Sequence, residues 1–509
     1  MKKKSIILIS AILLSLTLSE AQNVTDVVRY GTTNLQGSAR FQALSGAFGA
    51  LGGDVSAINI NPAGSAVFNH SKTTLSLTNF AFENTTSYFG NEEVVKDSHI
   101  DLNQIGGVFV FKNGNRDTKW KKLTLSINYE HDNNFDNEFF AAGQSNVSID
   151  QYFTTFATGV RLTDIQTLTG PTLGQSYLNT GAEFGFRHQQ AFLGYWAGII
   201  EPTDPLNTEN VVYTSNGLYN DDGTVDQYYF YQSEGFSSKI TVNLATQYTD
   251  NFYFGASFNF HNLEYNNYRE FTEEGFDPVS PLQSVYFDNL MRTTGNALSF
   301  NVGAILKIKK MFRVGLSYQS PTWWYKLTDE VSQRISTNLP DGDLSTINFN
   351  LINVFPDYKI QTPARFTGSF ATVFGKHGLL SFDVDYQDFS RALLKPEDDP
   401  YFNIQNTLIE ARLKPVITYR IGGEYRISRL SLRGGYRLQE SPYTNDTTLG
   451  ELSGYSFGLG YNFGGTQLDL SFNQFNRSQQ HQLFDPGLVN LTDLNGRNTN
   501  VTLSLSVKL

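Results

Sequence analysis

Gly454-Tyr455-Ser456-Phe457-Gly458 has the Gly-x-Ser-x-Gly spacing of an esterase nucleophile. Such a serine needs a sharp strand-to-helix turn to expose its hydroxyl, yet Ser456 stands in the middle of the most regular alternation in the chain. No catalysis is expected there, and with no other catalytic geometry in view the chain does not read as an enzyme. Gly46, Gly49 and Gly52 lack the preceding strand of a dinucleotide site. The seven histidines, at 70, 99, 131, 188, 261, 377 and 481, show no zinc spacing. The nearest pair, His261 and Glu264, has opposite parity on a strand and should point to opposite faces. Asp221, Asp222 and Asp226 around Gly223 could hold calcium in a loop, but a solvated acidic turn accounts for them. Neither a metal nor a cofactor is expected.

The charges with regular spacing are more informative. Arg420, Glu424 and Arg426 share one face of a strand, opposite Tyr419, Ile421 and Tyr425. Arg433 and Arg437 follow on the next strand, and Asp383 and Asp385 lie on another. If the apolar faces meet lipid, a charge among them would cost about 2 to 4 kcal/mol near the midplane, so these side chains must point inward. They are then either a salt-bridged interior or a site where Arg420, Arg426 or Arg433 anchors an anionic ligand head by bidentate hydrogen bonds. A helix-like stretch, Ala182 to Ile200, carries Phe192 and Trp196, which could line a ligand groove facing solvent or simply pack within a loop.

The elements that hold these residues are strands. Tyr455, Phe457, Leu459, Tyr461 and Phe463 alternate with small or polar residues, the period of a strand with one apolar face. Marking every such segment predicts fourteen strands: 73–83, 104–112, 121–130, 238–248, 252–265, 297–308, 311–320, 365–374, 378–389, 417–427, 430–438, 453–463, 466–475 and 499–508. Most are close to the roughly nine to eleven residues that a tilted strand needs to cross the hydrocarbon layer. The gaps between them alternate short and long, as periplasmic turns and outer loops do in outer-membrane barrels. The longest is 131–237. Residues 22–72 are rich in glycine and do not alternate, which suits a compact plug.

The first residues fit an exported protein. Lys2, Lys3 and Lys4 precede the apolar run Ile6 to Leu18 and the small residues Ser19 and Ala21, a secretory signal peptide over 1–21. Beyond it no run of about 18 apolar residues appears, so a membrane could be spanned only by a closed barrel. With 0 Cys, disulfides and thiolate metal sites are excluded. The formal net charge of -11 excludes nucleic acid as a partner.

The run Leu44-Ser45-Gly46-Ala47-Phe48-Gly49-Ala50-Leu51-Gly52-Gly53-Asp54-Val55-Ser56-Ala57-Ile58-Asn59-Ile60-Asn61-Pro62-Ala63-Gly64 resembles the N-terminal signature of the FadL/TodX (OmpP1) family of outer-membrane hydrophobic-compound transporters. Val314 to Pro321, Arg433 to Tyr436 and Gly458 to Tyr461 are similar to family strands. The resemblance implies an all-β, fourteen-stranded transmembrane antiparallel barrel, 73–509, with an N-terminal hatch, 22–72, in its lumen. Asn61, Pro62 and Ala63 would belong to the gating hatch. The implied function is passive uptake of long-chain fatty acids or similar hydrophobic molecules by a monomer in contact with outer-membrane lipids of a Gram-negative bacterium, with release through a gap in the wall. In the family this gap goes with a kink in the third strand. Residues 122–130 carry neither Gly nor Pro, so Gly106-Gly107 in the second strand is the expected bulge. The alternative is a FadL-like barrel acting as an interaction or cargo-shuttle subunit of a type IX secretion system.

Overall fold

In a computed structural model, residues 22–115, 117–338, 344–348 and 351–509 are described. The signal peptide expected over 1–21 lies outside the described residues. Fourteen wall strands follow the chain: β1 Lys72–Tyr88, β2 Asn91–Lys112, β3 Trp120–Asn134, β4 Val225–Tyr248, β5 Phe252–Glu274, β6 Ser284–Ile308, β7 Phe312–Gln319, β8 Arg365–Val373, β9 Gly378–Asp388, β10 Pro415–Ile427, β11 Leu430–Gln439, β12 Leu452–Asn462, β13 Thr466–Gln482 and β14 Leu491–Lys508. Each pairs antiparallel with its neighbour. β1 pairs with β14, which closes the barrel and satisfies the backbone of both end strands.

Alternation divides the side chains as the sequence predicts. Phe457 is 57% exposed on the outer surface while Ser456 beside it is 0% exposed. Polar inward faces pair in the ladders. Along the β1–β14 seam the hydroxyls of Thr74 and Ser506, Ser76 and Ser504, and Thr78 and Thr502 meet at 2.9, 2.7 and 2.7 Å.

Several strands run further than expected. Residues 84–103, expected to be an outer loop, are instead the upper part of the β1–β2 hairpin, closed at Phe89 and Gly90, both with positive φ. β4, β5 and β6 likewise continue past the lipid belt. The exposed ion pair of Arg292 with Glu264, 3.0 Å, marks the belt's outer rim on that side. His261 points inward and Glu264 outward, as their parity requires.

The long insertion between β3 and β4, 135–224, folds as a cap over this raised wall. It contains strand Asn137–Ser145 and helices that we number after the two hatch helices α1 Val24–Gly31 and α2 Ala39–Ala43. They are α3 Asp150–Ala157, α4 Leu162–Gln166, α5 Leu173–Phe184 and α6 Phe186–Trp196. The helix expected over 182–200 is two helices, because Gly185 takes φ +85° between them. A further helix, α7 Pro400–Arg412, roofs the opposite side and packs with α1.

Two acids are buried beneath the cap, Asp150 on α3 and Glu273 on β5. Glu273, 0% exposed and well beyond the belt, accepts from the Ser148 hydroxyl, the Ile149 N–H and the Gln227 amide. Burial pushes its carboxyl up to about 7. An acid raised on folding holds more protons folded than unfolded. Its contribution is therefore complete below its ordinary value and is lost as pH rises through about 7. At most about 3 kcal/mol is involved, at 1.36 kcal/mol per unit. Hydrogen exchange over 146–199, corrected for its intrinsic rate, should show the cap most protected near pH 4 and loosening towards pH 8. Glu273→Gln should flatten that profile; an unaltered profile in the variant would exclude Glu273 as its source.

Candidate functional site

The hatch is fastened by the motif that singled it out. Asn61 caps the 3₁₀ turn Pro62–Val67, its side-chain oxygen accepting from the Ala63 N–H. Its amide donates to Gly49 O at 2.8 Å and to Ala304 O of β6 at 3.0 Å. Pro62 O accepts from the Asn243 amide of β4 at 3.0 Å. Two wall glycines in register, Gly255 and Gly303, make this seat possible. A Cβ on Gly255 would lie 2.4 Å from Pro62 O, and one on Gly303 2.2 Å from Asn61 Oδ1. Asn61, Pro62 and Ala63 are thus placed at the fastened end of the hatch, near the short turns. Ser456 serves the same purpose: its hydroxyl meets that of Ser45 at 2.7 Å and donates to Ala43 O at 3.1 Å.

The inward charges separate into two groups. In the first, Glu424 accepts from Arg40 of the hatch at 2.9 Å and from Arg433 at 2.7 Å, and pairs with Arg426. Arg433 also reaches Asp469 at 2.7 Å. Arg433 and Arg426 therefore belong to a network that ties hatch to wall, with Arg426 half-buried at its edge.

The second group surrounds a cavity of about 70 Å³ between the hatch segment 30–36 and the wall. Here Arg420 pairs with Asp385. Two arginines to which the sequence reading assigned no ligand role join it. Arg365 donates to the Thr33 hydroxyl at 2.9 Å and Arg437 to Thr33 O at 3.2 Å. The opposite side carries Asp132 with Lys239 and His261. The cavity has space for a few waters or one polar head group, not for a whole acyl chain.

The wall parts beside this chamber. The β2–β3 ladder runs from Lys112 and Lys122 only as far as Gln104 and Glu130. Beyond it β2 stays with β1, whereas β3 shifts register between His131 and Asn133 and stays with β4. Strand Asn137–Ser145, also paired with β4, lies beneath the hairpin: Asn84 donates to Glu138 O at 2.7 Å and Asn91 to Ala142 O at 3.1 Å. The resulting hollow of about 360 Å³ is lined by Phe82, His99, Asp101, His131, Asp136 and Phe236, among others. His99 and Asp136 meet across it at 3.1 Å.

The bulge on β2 is at Asn103 rather than at Gly106-Gly107, which pair regularly with Asn128 and Ile127. Asn103 turns inward, accepting from the Gly37 N–H and donating to Gln36, both at 2.8 Å. On the other lip Asn133 accepts from the Asn34 N–H at 2.8 Å and donates to Thr32 O. Hatch residues 32–37 therefore form a strap held by both lips of the opening and, through Thr33, by Arg365 and Arg437. The signal for the kink was the run Glu130-His131-Asp132-Asn133-Asn134, where the apolar alternation ends without any Gly or Pro.

Phe192 and Trp196 are brought to the cap core, away from the arginines. Phe192 is fully buried, with Tyr177 and Trp196 at 6.3 and 5.9 Å between ring centres, and Trp196 Nε1 donates to Ile165 O at 2.9 Å. Among the described residues no group of three or more potential ligands is placed to hold a metal.

No curated protein matches the sequence. Solved structures share the fold at low identity. A FadL homologue of Pseudomonas aeruginosa is 11% identical with a TM-score of 0.55, over 94% of this chain and 99% of that one. The toluene transporter TodX of Pseudomonas putida is 13% identical with a TM-score of 0.52, over 94% and 100%. The toluene transporter TbuX of Ralstonia pickettii is 15% identical with a TM-score of 0.51, over 94% and 99%. The profile of one family, described as outer membrane protein transport protein (OMPP1/FadL/TodX), matches residues 211–502. That match exceeds half of the sequence and agrees with the plugged fourteen-stranded barrel and its parted wall, so the chain belongs to the OMPP1/FadL/TodX family of outer-membrane transport proteins.

Proposed function

We propose that this chain is a passive outer-membrane channel for long-chain fatty acids or similar hydrophobic molecules, which pass between the lumen and the membrane through the parted wall. The observation that supports this is a row of neighbouring hollows. The arginine chamber adjoins a second cavity at Asn34, Leu35, Gln36 and Arg437, and that cavity adjoins the wall opening at Phe82, His99, Asn134 and Asp136. The outer end of the lumen is roofed by the apolar cores under the cap and under α7, which favours the side route.

Asn134 borders both the inner cavity and the opening. Asn134→Trp should cut uptake of a fluorescent long-chain fatty acid into liposomes carrying the protein by about tenfold, a barrier increase of about 1.4 kcal/mol. The thermal midpoint of the folded barrel should be unchanged. Parental uptake by a folded Asn134→Trp protein would overturn the side route.

A further inference from the structure

Arg420 and Arg437 stand directly opposite each other on β10 and β11, both turned inward, 4% and 6% exposed. Like charges in register across a ladder repel, and burial strengthens the repulsion. Asp385 reaches Arg420. Asp383, in register with Arg420, is engaged by the Gly49 N–H at 2.9 Å. The contacts of Arg437 are to neutral groups, Thr33 O and Gln439 Oε1. Arg365 adds a third guanidinium through Thr33. Arg477 on β13, two residues past Phe475, lines a separate outer hollow with Glu83 and Glu451. On this side three guanidinium groups, Arg365, Arg420 and Arg437, face two carboxylates, Asp383 and Asp385. Two of their N–H-bearing nitrogens, Arg420 Nε and Arg437 Nε, are buried without a hydrogen-bond partner among the described residues, against one unpartnered carboxylate oxygen, Asp383 Oδ1. A buried charged donor left unmatched is costly. The facing wall does not supply the missing acceptor: Asp132 is taken by Lys239 and His261, and Glu130 by the amides of Asn59 and Asn128.

We propose that this wall binds the head group of an amphiphile carrying a tetrahedral oxyanion, of the phosphate monoester class. The inference rests on the channel reading and specifies its substrate. A carboxylate offers two oxygens, which one guanidinium can occupy by itself. Three guanidinium groups lining one cavity, those of Arg365, Arg420 and Arg437, call for an acceptor with three oxygens and a charge of about -1.5 to -2. The cavity of about 70 Å³ takes such a head group, and the tail then runs along Asn34 to Gln36 towards the opening. A neutral hydrocarbon would leave the repulsion between Arg420 and Arg437 unrelieved.

The test uses the whole barrel in a non-ionic detergent and three probes that share a tail: octyl phosphate, octanoate and octanol, with binding measured by calorimetry. Octyl phosphate should bind about tenfold more tightly than octanoate, with octanol weakest. Arg437→Gln should abolish the advantage of the phosphate and leave octanol binding unchanged. Heat-modifiable gel migration confirms that the variant is folded, and Arg365→Gln replaces it if it is not. Octanoate or octanol binding as tightly as octyl phosphate, or a folded variant that keeps the preference for phosphate, overturns the site. Transport is read separately, as octanol uptake by cells whose outer membrane carries the protein, beyond that of cells without it. If octanol still enters, the channel reading survives the loss of this site. If no probe binds or enters, the channel reading has failed and the site falls with it.

Discussion

Glu424→Ala should destabilise the barrel by about 3 to 5 kcal/mol, the usual effect of removing one member of a buried ionic group. The Glu424 side chain is fully buried and that of Arg433 is 1% exposed, so after the substitution Arg433 would retain Asp469 alone while Arg40 would lose its carboxylate. Because Arg40 belongs to the hatch and Glu424 to β10, stability and sealing should fail together. The thermal midpoint of the folded form should drop, and liposomes carrying the protein should leak small solutes. Asp469→Asn tests the assignment from the other end of the network. It removes one contact to Arg433 and leaves Arg40 with Glu424, so it should lower the midpoint without leakage. Leakage in both variants, or in neither, would show that the Arg40–Glu424 contact is not what seals the lumen.

Gly303→Leu should open the lumen by another route. Its Cβ would lie 2.2 Å from Asn61 Oδ1 and 2.9 Å from Pro62 Cδ, so the wall or the hatch must move. The wall is held by two ladders at that residue, whereas the hatch depends on the Asn61 clamp, so the hatch should give way. Overpacking of this kind costs about 1 to 3 kcal/mol. Solute leakage should increase by about tenfold or more, since loss of at least 1.4 kcal/mol of closure changes the open population by that factor. Gly368→Leu is the control, because nothing lies within 4 Å of a Cβ at that position. Equal leakage from the two variants would remove the hatch from the explanation.

The barrel was legible because lipid on one side and a polar lumen on the other impose a period of two on each strand, as Ser453 to Phe463 shows. Where strands rise above the lipid that contrast fades, and 84–103 therefore resembled a loop. The inward direction of Arg420, Arg433 and Arg437 followed from parity. Their division into a hatch-anchoring network and a chamber did not, because it depends on what the hatch and neighbouring strands place beside each one: Arg40 and Glu424 at Arg433, Thr33 and the neighbouring Gly454 at Arg437. Phe192 and Trp196 show a limit of a different kind. Apolar residues at helical spacing look the same whether they face a groove or a packed core. The bulge at Asn103 is set by its hydrogen bonds to Gly37 and Gln36, which no local spacing encodes.

The β1–β14 seam bears on how the molecule is assembled. Ser504 on the last strand hydrogen-bonds Ser76 on the first, 428 residues away, and also accepts from the Ala39 N–H of the hatch at 2.7 Å. Thr502, two residues earlier, meets both Thr78 and Gln42 of the hatch. The strand synthesised last thus closes on a surface made jointly by the strand and the plug synthesised first. Joining ends so far apart carries the largest loop-closure entropy in the chain. The hatch offsets part of it by providing contacts that exist only when it already occupies the lumen. The seam and the seated hatch therefore stabilise each other, and whatever loosens the plug also weakens the closure of the cylinder.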